Sequence, residues 1–222
     1  MIGQLAANFP TSVFNDMPKG AWTYGGGGMN SSGVVCGNFN AGAALLAQLG
    51  APTNVKNEWQ RWFENTYLPT NAAYVDYRSG NWTPGGSATG GWGSAGTQLL
   101  APLNNCPKVK PLSLGCHSAH TRWKAASSSW IASKGAAANS DRCSKTSYDA
   151  AYAICNLINA WKSGATISGT LDPSTSATGC KTPGCHAPTA TDPISGTPRT
   201  GASGQMKCEP CHTQRMGDGH NL

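Results

Sequence analysis

Cys208-Glu-Pro-Cys211-His212, close to the C-terminal end, has the residue types and spacing that attach a c-type haem. Two thiols add across the haem vinyl groups, and the adjacent histidine is then held beneath the iron. A looser version stands upstream, Cys180-Lys-Thr-Pro-Gly-Cys185-His186. The same four cysteines could form two knuckles around one tetrahedral zinc. A thioredoxin-like redox pair is a weaker alternative, because no βαβ pattern surrounds either motif. The histidines separate these readings. The chain has 5 His in 222 residues, yet one follows each cysteine pair directly, and only haem attachment requires it there. Cys180, Cys185, Cys208 and Cys211 are therefore expected to carry two covalent haems, with His186 and His212 as proximal ligands. Two haems close together in the chain point to electron transfer rather than substrate chemistry, so no catalytic residue is assigned.

A sixth iron ligand must come from elsewhere. His117 and His120 are the histidines upstream of the haem motifs. Three residues apart on a helix, they lie on neighbouring faces, roughly 5–6 Å apart at Cβ. That spacing could offer one imidazole to each of two stacked haems. His220 competes with His120 for the second position. Methionine ligation by Met206 or Met216 would raise the reduction potential, but enough neutral histidines are available.

Five cysteines remain. Cys155 falls on an apolar helical face and is expected as a buried free thiol. Cys36, Cys106, Cys116 and Cys143 could make two disulfides, as an exported protein permits, or hold an iron–sulfur cluster through four thiolates. Their spacing matches no standard ferredoxin pattern and decides neither way.

At this length the chain builds one medium domain, or one domain with an irregular segment. Charged residues are only 12%, while Gly numbers 28 and Pro 14, so long loops are expected. No apolar run is long enough to span a bilayer. Met1-Ile-Gly-Gln lacks the basic and apolar regions of a signal peptide. Covalent haem attachment of this kind nevertheless occurs outside the cytoplasm. A periplasmic or extracellular location is expected, with an export signal outside this numbering. The formal net charge is +6. Four haem propionates and two ferric centres would bring it to about +4, a modest and scattered bias that gives no reason to expect nucleic acid as a partner.

The elements that must position these groups follow from the pattern. Gly25 to Gly28 suit a tight path with close backbone approach to another group. A phosphate loop would need the Lys-Ser/Thr ending that is missing here. A helix is predicted over Cys36–Leu49, stopped by Gly50 and Pro52. A second starts at Thr53 or Asn54, places Val55, Trp59 and Trp62 at helical spacing, and ends at Pro69; both tryptophans are read as core. Residues 79–97 read as a loop. From Ser113 to Gly135 a helix places Cys116, His120, Trp123, Ser127 and Trp130 on one side. The last helix is predicted to begin at Ser147, with Asp149 in its first turn, and to end at Gly164. Its apolar face is Ala151, Ile154, Cys155, Ile158 and Trp161. Beyond Gly164 the chain turns to Pro, Gly, Ser and Thr, a composition that orders only around bound haems. The expected fold is mainly α. A small helical body with long irregular loops over 1–164 carries a C-terminal segment, 165–222, bearing both haem motifs.

Phe14-Asn-Asp-Met-Pro-Lys-Gly-Ala-Trp-Thr-Tyr-Gly25-Gly-Gly-Gly and Asn30-Ser-Ser-Gly-Val-Val-Cys36-Gly resemble the split-Soret diheme cytochromes c. Gly115-Cys116-His117-Ser118 through Arg122-Trp123 and the two haem motifs are similar to that family as well. The resemblance covers most of the chain. It implies a mostly helical homodimer with four haems clustered at one end and nearly parallel haems within each subunit. It also implies an axial histidine supplied by the partner subunit. A cysteine-held cluster, [2Fe–2S], is implied too, with Cys36, Cys106, Cys116 and Cys143 as its candidates.

The expected role is relay of electrons to and from a redox partner protein through bis-histidine haems, without enzymatic turnover. Two rival roles share the same motifs. One is a subunit of an extracellular conductive multihaem filament, a higher assembly than the dimer. The other is a small haem reductase with one open iron site.

Overall fold

A computed structural model of the chain describes Gly28 and residues 32–82, 93–94, 97–98, 101–135 and 137–171. Among the described residues the architecture is mainly α. The helices are α1 (Gly37–Gln48), α2 (Thr53–Asn65), α3 (Ala72–Arg78), α4 (Cys116–Ala126), α5 (Ser128–Lys134) and α6 (Ala137–Lys162). A two-residue antiparallel pair, β1 (Gly93–Ser94) with β2 (Thr97–Gln98), lies in the stretch expected as a loop.

Helix α6 is the spine, and α1, α2, α3 and α5 all touch it. The main core forms where α1 and α2 meet its second half. Leu45, Leu46, Val55, Trp59, Ala150 and Ile154 are buried together there. The Trp59 ring stacks on Trp62 at 5.0 Å and on Phe39 at 6.2 Å, and its indole N–H donates to the Phe39 carbonyl at 2.9 Å. Gly42 makes this packing possible, because a Cβ there would stand 2.5 Å from the Trp59 ring. Trp59 is core as expected, and Trp62 packs partly buried at its edge.

Several boundaries differ from the sequence reading, and α2 ends at Asn65 rather than Pro69. Helix α6 starts ten residues early, at Ala137 rather than Ser147. The Ser147 hydroxyl, read as the helix start, bonds backward instead to the Cys143 carbonyl at 2.9 Å, as Thr146 does to the Arg142 carbonyl at 2.8 Å. The first turns gain from Asp141 and Lys145, an i,i+4 pair at 2.9 Å with both side chains fully buried. The helix predicted from Ser113 to Gly135 is broken at Ser127, where three consecutive serines weaken it and the chain re-enters α5. It also begins later, at Cys116, because the Ser113 hydroxyl accepts the Gly115 N–H at 3.0 Å and forms a turn. Helix α3 was not anticipated. It begins after Asn71 in the left-handed region, with φ 67°.

Cys155 is a further correction. It is a free thiol as expected, but it is exposed. The buried stripe of α6 runs through Ala150, Ala153, Ile154, Leu157, Ile158 and Trp161, and Cys155 lies one residue beyond it.

A crossing segment joins the two ends of the body. Cys106 and Asn71 exchange two hydrogen bonds, at 2.8 and 3.1 Å. Lys145 donates to the carbonyls of Leu103 and Asn104, while Asp141 accepts the Leu103 N–H at 2.9 Å. After α6, Ile167 returns to the main core and its carbonyl accepts from Asn54 at 2.8 Å. No helix among the described residues is long and apolar enough to cross a membrane.

Candidate metal centre

Two helix starts converge on one pair of cysteines. Cys36 is the N-cap of α1, and Cys116 is the first residue of α4. The strands leading into them pair backbone to backbone. The Cys36 N–H donates to the Leu114 carbonyl at 2.8 Å, the Cys116 N–H to the Val34 carbonyl at 3.0 Å, and the His117 N–H to the Gly33 carbonyl at 2.9 Å. Gly28, with φ 78°, lies against this junction, where an added Cβ would be 2.7 Å from that of Cys116. The close approach expected of the glycine run is realised at Gly28; Gly25 to Gly27 lie outside the described residues.

The thiols are inequivalent. The Cys116 thiol donates to Cys36. That bond, with the backbone of Asn38 and Phe39 at the start of α1 and the Arg142 charge, outweighs burial and holds Cys36 well below the ordinary thiol range. Cys116 is pushed up, because it donates to Cys36 and is itself partly buried. A thiolate at a helix N-terminus is the protonation state that binds a metal. Phe63 and Leu68 form the apolar floor beneath the pair.

Cys143 lies on α6, is exposed, and its sulfur accepts a long contact from the Arg142 Nη1 at 3.9 Å. Cys106 stands apart, buried with Trp123 and Ala138 in the neighbouring apolar cluster. There burial pushes its thiol up to about 11, although Lys145 and Arg142 oppose the shift. The structure thus brings Cys36 and Cys116 to adjoining helix starts, with Cys143 on α6 beside Arg142 and Cys106 in a separate apolar cluster. All four are free thiols rather than two disulfides. Among the described residues no three of His, Cys, Asp and Glu stand as a preformed ligand set.

Both upstream histidines are on α4. His117 is exposed at its first turn, against Gly33, where an added Cβ would stand 3.2 Å from that of His117. His120 is half-buried one turn on, 5.9 Å from the Trp123 ring. Burial, followed by the charges of Arg142 and Lys124, depresses His120 to about 4 and leaves a neutral imidazole. Neutral imidazole is the form that ligates iron. Cys180, Cys185, His186, Cys208, Cys211, His212 and His220 lie outside the described residues.

Arg142 was not foreseen as a site residue. It is 3% exposed, its guanidinium lies 6.0 Å over the Trp123 ring, and its charge reaches Cys36, Cys106, Cys116 and His120. Its position directly before Cys143 was the available signal. The late start predicted for the last helix left both outside any element.

This fold is shared. It is similar to the split-Soret cytochrome c from Desulfovibrio desulfuricans ATCC 27774, a protein described as having a novel iron centre. The match has a TM-score of 0.62 and 21% sequence identity, and covers 99% of this chain and 79% of that one. No family model and no curated protein matches the chain at a significant level.

Proposed function

We propose that this protein is a diheme c-type cytochrome that relays electrons and is not itself an enzyme. The observation that carries this reading is the pair of Cys/Cys/His motifs, Cys180-Cys185-His186 and Cys208-Cys211-His212. The fold likeness to a split-Soret cytochrome c supports it. Bound haem supplies a reversible one-electron couple whose potential follows from axial ligands, burial and nearby charge. The chain's own residues do the rest. His186 and His212 hold the iron atoms from the attachment side. His117, exposed at the start of α4, and the neutral His120 are the distal candidates on the described body, with His220 as the competitor. Bis-histidine ligation fills every iron position and turns the site away from oxygen or peroxide chemistry.

The donor chemistry at the head of α1 and α4 fits a second iron site. Cys36, Cys116 and Cys143 would contribute to an iron–sulfur centre, [2Fe–2S] in the resemblance, while Cys106 packs with Trp123 and Ala138. What supports this is the backbone pairing that sets Cys36 and Cys116 at adjoining helix starts and the 3.9 Å contact of the buried Arg142 with the Cys143 sulfur. We further propose a homodimer acting with a redox partner protein outside the cytoplasm.

Changing His212 to Ala tests the ligand assignment. The haem should remain attached while part of the low-spin absorption becomes high-spin. An unchanged low-spin spectrum would remove His212 from the iron.

A further inference from the structure

The cations are scattered along the chain, but their excess over carboxylates is not. Between Asp76 and Asp141 stand Arg78, Lys108, Lys110, Arg122, Lys124 and Lys134, with no Asp or Glu among them. Six of the 16 basic residues fall there, which leaves 10 to balance the 10 acidic residues of the rest of the chain. The whole of the +6 therefore belongs to this one stretch. The ion pairs Arg61–Glu58 and Lys145–Asp141 lie outside it.

The fold brings four of the six to α4 and its neighbours. Arg122 and Lys124 flank Trp123, whose indole N–H donates to the Pro107 carbonyl at 2.9 Å, and this seats Lys108 beside α4. Trp130 of α5 meets the Trp123 ring edge-on at 5.9 Å, and Lys134 ends that helix. Lys108 and Lys124 are exposed. His117, Thr121 and Lys124 are all exposed at i, i+4 and i+7, so they share one face of α4. That face offers solvent a cation together with an imidazole proposed as a haem ligand.

We propose that the α4 side of the body, around Lys108 and Lys124, is the docking surface for a redox partner protein with an acidic surface. The inference rests on the electron-relay reading and names the partner's chemistry. Cations with no carboxylate between them project an uncompensated positive potential, which raises the encounter rate of a negatively charged protein. Docking there sets the partner against the face that carries His117, beside the haem which that imidazole would hold. One electron then passes from the reduced donor to a ferric haem, which becomes ferrous. Salt opposes the encounter, because exposed charges are screened beyond about 10 Å at 0.1 M ionic strength.

The test is stopped-flow reduction of the ferric full-length holoprotein across a range of ionic strength. The donors are flavodoxin hydroquinone, an acidic protein, and the methyl viologen radical, a small cation. Two double variants remove the same amount of charge from different places: Lys108→Gln with Lys124→Gln, and Lys56→Gln with Lys162→Gln, where Lys56 and Lys162 are exposed cations outside the stretch. The parent should react with flavodoxin more slowly as salt rises. K108Q/K124Q should be several-fold slower than the parent at low salt, with a flatter salt dependence, while K56Q/K162Q stays close to the parent. With methyl viologen, K108Q/K124Q should be no slower than the parent. Equal slowing in both double variants overturns the proposal, since net charge rather than place would then matter. Unchanged flavodoxin rates in K108Q/K124Q overturn it too, as does a parent rate that rises with salt. Unaltered protein whose visible spectrum does not respond to either donor defeats the electron-relay reading itself, an outcome distinct from all of these.

Discussion

At the scale of single residues, the chemistry depends on where two cysteines meet helix starts. Cys36 and Cys116 sit at the positive ends of α1 and α4, and a thiolate gains there from N–H groups that have no intrahelical partner. Cys106 lacks that setting and is a buried apolar thiol. The variants Cys36→Ser and Cys116→Ser are expected to lose non-haem iron, whereas Cys106→Ala keeps it at a cost in stability. Iron and sulfide analysis of fresh preparations checks this, and iron lost equally from all three would contradict the distinction. The residue types were legible in the sequence. What was not legible is the grouping, because spacing along the chain says nothing about which helix ends meet. Four thiols were expected together, and the folded chain sets Cys106 in the cluster of Trp123 instead.

At the scale of elements, α6 organises the body. Lys145 is fully buried, paired with Asp141 and bonded to two carbonyls of the 101–107 segment. Lys145→Met would leave Asp141 without its cation. A loss of about 3–5 kcal/mol in denaturant unfolding is expected, as for other buried pairs broken on one side. Where α1 crosses α2, Gly42→Ala would drive a methyl group into the rigid Trp59 ring, with an expected loss of about 1–3 kcal/mol by the same assay. Tyr148 provides a pH signature. Burial first, then its hydrogen bond to Asp76, raises it to about 12. An unfolded tyrosine ionises near 10, so between about pH 10 and 12 the folded chain retains a proton that the unfolded chain has lost, and stability falls as pH rises. Tyr148→Phe should flatten this part of the stability profile, and an unchanged slope would reject the assignment.

Helices α1 and α2 were readable because Gly50 and Pro52 mark the end of the first and Val55, Trp59 and Trp62 fall at helical spacing in the second. The start of α6 was not. Its first turns are held by a buried ion pair and by long-range bonds to Leu103 and Asn104, and those polar residues look like a loop when read locally. The break at Ser127 escaped for a related reason. The face from Cys116 to Trp130 continues in register across it, so periodicity alone sees one helix where the serines make two.

At the scale of the whole molecule, a helical body brings Cys36, Cys116 and two histidines to the start of α4, while the proposed haem-attachment motifs belong to the C-terminal segment. His117 and Cys116 are neighbours in the chain, so one helix start would serve both proposed iron sites. The central claim is that the protein carries two covalent haems in low-spin, electron-relaying form. Intact mass measured together with the oxidised and reduced visible spectra tests it most directly. Two added haem masses with a split, low-spin Soret band that responds reversibly to reduction are the expected result. A colourless protein with no added mass would contradict the account and turn the C-terminal cysteines to zinc or disulfides.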